Sequence, residues 1–126
     1  MTKERKTILF LEDEQELLTT VSSLLTEHRY NVVPVKSAEE ALKIAEQLGP
    51  DLVIIDIKLP GMDGFDFFES LKKMKALAGV PVVFLTAFND LNAMVYAKNL
   101  GAADYITKPF DFEYLVARVL DLAPPV

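Results

Sequence analysis

Carboxylates close two apolar runs in this sequence: Glu12-Asp13-Glu14 follows Thr7-Ile-Leu-Phe-Leu11, and Asp56 follows Leu52-Val-Ile-Ile55. An ionised group where a buried strand reaches the surface is costly unless it is wet, paired or metal-bound. A hydroxyl, Thr86, follows the run Pro81-Val-Val-Phe-Leu85, and an ammonium, Lys108, follows the short strand Asp104 to Thr107. Brought to one place, three carboxylates repel one another, and all can ionise only if a cation compensates them. Oxygen donors without His or Cys select a hard ion, and Mg²⁺ fits best, with Asp13 and Asp56 as direct ligands, Glu12 reaching it through water and the Lys58 carbonyl as a further oxygen. Such a pocket suits phosphoryl transfer, where the work is positioning and charge neutralisation. Asp56 is the nucleophile that would become an aspartyl phosphate, with Thr86 and Lys108 binding phosphoryl oxygens. The plainer reading, an Asp opening a turn and acids solvated at loop ends, leaves the coincidence of strand endings unexplained.

These groups meet only if the strands share an edge. The runs at 7–11, 31–35, 52–55, 81–85 and 104–107 read as strands, the first and third as continuously apolar as a strand buried on both faces. Between them lie helical patterns. Leu17, Leu18, Val21, Leu24 and Leu25 mark one face of a helix over about 14 to 28. Ser37-Ala-Glu-Glu40 is a capping box for a helix burying Ala41, Leu42, Ile44, Ala45 and Leu48, stopped by Gly49-Pro50. Phe67, Phe68, Leu71 and Met74 face inward from a third helix, whose Lys72, Lys73 and Lys75 read as a solvated face. A fourth spans about 90 to 100 and closes at Gly101, and Asp111 caps a fifth that buries Leu115, Val116, Val119 and Leu120. Strand and helix alternating five times predict an α/β fold: a doubly wound five-stranded parallel sheet, order 2-1-3-4-5, with helices on both faces. Its crevice lies at the carboxyl ends of strands one and three, where the winding reverses. Those two strands end in acids.

At 126 residues the chain is expected to form one domain over 1–126, with an ordered core at about 7–122 and short tails. No apolar run approaches the roughly 20 residues that cross a bilayer, and Met1 to Lys6 leads into an apolar stretch too short for a signal peptide. The absence of cysteine suits a reducing cytoplasm. His28, the only histidine, sits near a helix end and reads as a partner of the helix dipole. A net charge of -6 argues against direct nucleic-acid binding by this segment.

Along nearly its whole length the chain resembles the receiver domain of bacterial two-component response regulators. The motifs that carry the likeness are Leu11-Glu-Asp-Glu14, Asp51-Leu-Val-Ile-Ile-Asp-Ile-Lys-Leu-Pro-Gly-Met-Asp-Gly64, Leu85-Thr-Ala87 and Gly101-Ala-Ala-Asp-Tyr-Ile-Thr-Lys-Pro-Phe110. The resemblance implies that Asp56 is the phosphoacceptor for a phosphohistidine on a sensor histidine kinase or phosphotransfer protein, with Mg²⁺ at Glu12, Asp13 and Asp56. It implies a cis peptide at Lys108-Pro109, and a switch in which Thr86 moves toward the phosphate and Tyr105 turns into the vacated space. The face made by helix four, strand five and helix five would then bind an output domain, a target protein or, as a phosphorylation-linked homodimer, a second copy, with Tyr96, Phe112 and Tyr114 at its border. A phosphoacceptor that assists its own phosphorylation and dephosphorylation is implied rather than an enzyme. Glu12-Asp13 stands where Asp-Asp is commoner in the family, and Phe88 and Lys58 flank Asp56, where their bulk is expected to slow the loss of phosphate to water.

Three other readings fit less well. A haloacid-dehalogenase-type phosphatase wants a second Asp two residues after the nucleophile, where Lys58 stands. A flavodoxin-like flavin binder needs a phosphate-binding loop after strand one, where Glu12-Asp13-Glu14 would repel it. An unmodified pseudo-receiver is attractive only when an acceptor residue is missing, and Asp56 is present.

Overall fold

The computed structural model describes residues 4–87 and 90–126. Strands β1 (Thr7–Leu11), β2 (Asn31–Val35), β3 (Leu52–Asp56), β4 (Val82–Ala87) and β5 (Asp104–Lys108) pair in parallel in the order β2-β1-β3-β4-β5. Helices α1 (Gln15–Glu27), α2 (Ala38–Leu48), α3 (Gly64–Lys73), α4 (Leu91–Asn99) and α5 (Phe112–Leu122) alternate with them. The expected doubly wound sheet is the one found, its winding reversing between β1 and β3.

Successive residues of a strand point to opposite faces, and here both faces are covered. Leu9, Leu11, Val53, Ile55 and Phe84 pack under α2, α3 and α4, against Ala41, Ala45, Phe67, Phe68, Leu71 and Ala97. Ile8, Phe10, Leu52, Ile54, Val83 and Leu85 pack under α1 and α5, against Leu18, Val21, Leu25, Leu115 and Val119. All ten residues of β1 and β3 are buried, so their runs carry no polar alternation. β2 is half exposed and contains Pro34, which an edge strand tolerates because its outer side pairs with nothing.

Local chemistry sets the boundaries. The side chains of Ser37, Asp63, Asp90 and Asp111 cap α2 to α5 by accepting backbone N–H groups, and Gly49, at φ +59°, ends α2 in the left-handed region. His28 takes the position after α1, where its Nδ1 lies 2.9 Å from the Leu24 carbonyl. The buried hydroxyl of Tyr30 donates to the Ala123 carbonyl at 2.5 Å, tying the α1 to β2 turn to the end of α5, and burial pushes its pKa up.

One expectation needs correction. Lys72 is not part of a solvated row: its ammonium donates to the carbonyls of Ala78 at 2.9 Å and Val80 at 3.0 Å and lies 5.0 Å from the centre of the Phe68 ring. A short 3₁₀ turn at Lys75–Leu77 brings those carbonyls back over the helix end, which the spacing of lysines along α3 could not reveal. Desolvation lowers its pKa.

Candidate functional site

Parallel pairing sets the carboxyl ends of the strands on one edge. Asp56 is in register with Leu85, so Thr86 lies one residue beyond it on β4, and Thr86 pairs in turn with Thr107, the residue before Lys108. Glu12 and Asp13 follow the last residue of β1, whose partner in β3 is Ile55. Carboxylate oxygens of Glu12, Asp13 and Asp56 lie within 4.8 Å of one another. Glu12 is fully buried and Asp56 nearly so, whereas Asp13 is exposed.

Lys108 reaches both buried acids. Its ammonium donates to Asp56 Oδ2 at 2.5 Å and to Glu12 Oε1 at 2.7 Å. Backbone amides take the remaining oxygens: Lys58 N–H donates to Asp56 Oδ1 at 2.9 Å, and Glu14 N–H donates to Glu12 Oε2 at 3.2 Å. Burial, reinforced by the nearby Asp56 charge, pushes the Glu12 carboxyl up to about 7 against the pull of Lys108. Burial disfavours the Lys108 ammonium, but its hydrogen bonds to Asp56 and Glu12 outweigh this and raise its pKa. One ammonium against three carboxylates leaves the pocket anionic, and its oxygen-only donor set fits a hard divalent ion.

The loop after Asp56 is held tightly against it. A Cβ on Gly64 would lie 2.9 Å from both the Asp56 carbonyl oxygen and the Ile57 Cα, so only glycine lets α3 begin so close to the strand exit. Gly64 N–H donates to the Ile57 carbonyl at 2.9 Å. From α2, Glu39 Oε2 accepts from Met62 N–H at 3.4 Å, a link between non-adjacent elements that the sequence does not display.

Thr86 is buried, and the Lys108-Pro109 bond is cis. Tyr105, three residues before Lys108, is half buried against the core cluster beneath α3 and α4. It also lines a cleft of about 430 Å³ with Met94, Pro109, Phe110 and Tyr114. Tyr96, Phe112 and Tyr114 are exposed, and Leu91 and Val95, which sequence reasoning did not single out, are more exposed still at 69% and 60%. Phe88 lies outside the described residues.

The model of the response regulator receiver domain matches residues 8–120. The chain belongs to this family. Among curated relatives, this receiver domain is 37% identical over 112 residues to the sensory transduction protein BceR of Halalkalibacterium halodurans, covering 89% of this chain and 47% of that protein. It is 38% identical over 114 residues to the alkaline phosphatase synthesis transcriptional regulatory protein PhoP of Bacillus subtilis, covering 90% and 47%. The chain thus spans about half the length of the curated relatives it matches. Among solved structures, the non-phosphorylated HemR receiver domain of Leptospira biflexa superposes with a TM-score of 0.85 at 32% identity, covering 93% of each chain. The chemotaxis response regulator CheY4 of Vibrio cholerae superposes with a TM-score of 0.86 at 26% identity, covering 93% of this chain and 98% of that one. This is a receiver domain of two-component response regulators. No helix among the described residues is long and apolar enough to cross a membrane.

Proposed function

We propose that this receiver domain takes a phosphoryl group onto Asp56 from the phosphohistidine of a sensor histidine kinase or phosphotransfer protein in the cytoplasm. The observation that carries the reading is the meeting of Glu12, Asp13 and Asp56 with Lys108 at the strand-end edge where the winding reverses. Glu12, Asp13, Asp56 and the Lys58 carbonyl would hold Mg²⁺. When bound, the ion would offset the charge of the carboxylates and of the phosphoryl oxygens.

An Asp56 oxygen attacks phosphorus as the phosphorus to nitrogen bond of the donor breaks, and the bond electrons stay with the departing imidazole. Ionised Asp56 has no proton to lose, so the site needs no general base. Lys108, already on Asp56 Oδ2, shifts to a phosphoryl oxygen, and the Thr86 hydroxyl donates to another. Tyr105 then turns toward the space Thr86 leaves and repacks the α4, β5 and α5 face. That face would engage an output domain in a longer parent chain, a separate target or a second copy of the domain.

Incubation with Mg²⁺ and acetyl phosphate, followed by intact mass measurement, tests this reading. One added phosphate is expected in the wild type and none in Asp56→Asn; equal labelling of both proteins would overturn it.

A further inference from the structure

Lys58 leaves the backbone at the acceptor itself, where its N–H donates to Asp56 Oδ1. Its ammonium lies elsewhere, 3.9 Å from Asp90 Oδ2 at the start of α4. The other Asp90 oxygen caps α4 by accepting from Ala93 N–H at 3.1 Å. Asp90 N–H donates to the Ala87 carbonyl at 3.1 Å, so the anion that holds Lys58 is also tied to the residue after Thr86. Lys58 is 73% exposed and Asp90 30%, and an ion pair this wet is weak and exchanges readily. Inside the pocket, one ammonium already faces three carboxylates.

We propose that Lys58 is a second cation of the phosphoryl site, held aside by Asp90 in the resting protein and transferred to the phosphoryl oxygens once Asp56 is modified. The inference rests on Asp56 being the phosphoacceptor. A phosphoryl group brings a charge of about -1.5 to -2 and three acceptor oxygens. It would arrive on the side chain that already accepts from the Lys58 backbone, so it outweighs a single half-solvated carboxylate for a lysine on a flexible four-carbon stem. Asp90 keeps its capping bond and loses its cation. The same event therefore changes the charge balance at the first turn of α4, by a route separate from Thr86 and Tyr105.

Rates of phosphate gain from acetyl phosphate with Mg²⁺, and of loss after donor removal, test the exchange by intact mass in five variants beside the wild type: Asp56→Asn, Asp90→Asn, Lys58→Gln, Lys58→Arg and the Lys58→Gln/Asp90→Asn double. Asparagine keeps the α4 cap, and every Lys58 variant keeps the backbone carbonyl and N–H. Freed from Asp90, Lys58 attracts the anionic donor, so Asp90→Asn should gain phosphate about two- to fivefold faster, the size expected for a solvated pair. The double variant should match Lys58→Gln, and Lys58→Arg should stay near the wild type. Once phosphate is on, Asp90→Asn should lose it at the wild-type rate while Lys58→Gln does not. An Asp90→Asn effect that persists without Lys58, or gain rates indifferent to Asp90, would overturn the exchange while leaving Asp56 as acceptor. Labelling that survives Asp56→Asn would overturn the acceptor assignment and the exchange with it.

Discussion

Glu12 is fully buried beside Asp56, and its carboxyl is pushed up from 4.5 to about 7. In metal-free protein the folded state then keeps a proton that the unfolded chain has already released between those two values. Stability should therefore fall as pH rises from about 4.5 to about 7, by on the order of 3 kcal/mol, and stay low above that window. Urea unfolding of metal-free protein across this range should show the slope, and Glu12→Gln should flatten it. A slope unchanged in Glu12→Gln would mean that other groups produce it and that the Glu12 carboxyl is not held up by burial. Gly64 poses a different residue-scale constraint, since an added methyl meets backbone rather than a movable side chain. Gly64→Ala should cost about 1–3 kcal/mol in urea unfolding, the range for forced overpacking, and should slow the uptake of phosphate because the displaced backbone is that of Asp56 and Ile57.

At the scale of elements, α3 and the 3₁₀ turn after it form a unit fastened by one lysine. The Lys72 ammonium satisfies the carbonyls of Ala78 and Val80 just before β4, so it sets where that strand enters the sheet. Lys72→Met should keep the packing of the stem but lower stability by about 1–2 kcal/mol, read as a shift in the urea midpoint. Lys73, exposed on the same helix, should tolerate the same change with little effect. Helix α4 stands apart from the others. It buries only Ala93 and Ala97 and leaves Leu91, Val95 and Tyr96 exposed, so it is held by small side chains and by the T-shaped contact between Phe65 and Tyr96, 4.6 Å between ring centres. An element so lightly anchored is suited to move when charge changes at its capping residue Asp90.

For the whole molecule, what could be read in the sequence follows from its alternation. Strand and helix alternating five times put the strand ends at Glu12-Asp13, Asp56, Thr86 and Lys108 on one edge, because parallel order and right-handed crossovers leave few topologies. The buried run Leu52 to Ile55, interrupted by Asp56 and turn residues, marked in the sequence one of the strand ends at which the carboxylates meet. Contacts that depend on how far a flexible side chain reaches were not legible. Lys72 looked like one of three surface lysines until the turn at residues 75–77 brought two carbonyls to it, and Glu39 and Lys58 contact loops or helices that no periodicity connects to them. The exposure of Leu91 and Val95 was hidden for a related reason: a short helix with small buried residues has a weak apolar stripe, and its outward face reads like its inward one.

Borohydride reduction after phosphorylation with acetyl phosphate and Mg²⁺, followed by peptide sequencing in the mass spectrometer, identifies the side chain that carries the phosphoryl group. An aspartyl phosphate at the meeting point of the three carboxylates and Lys108 should be recovered as Asp56 in its reduced, homoserine form, and at no other position. Reduction at Asp13 or at another acid, with Asp56 recovered intact, would overturn Asp56 as the phosphoacceptor.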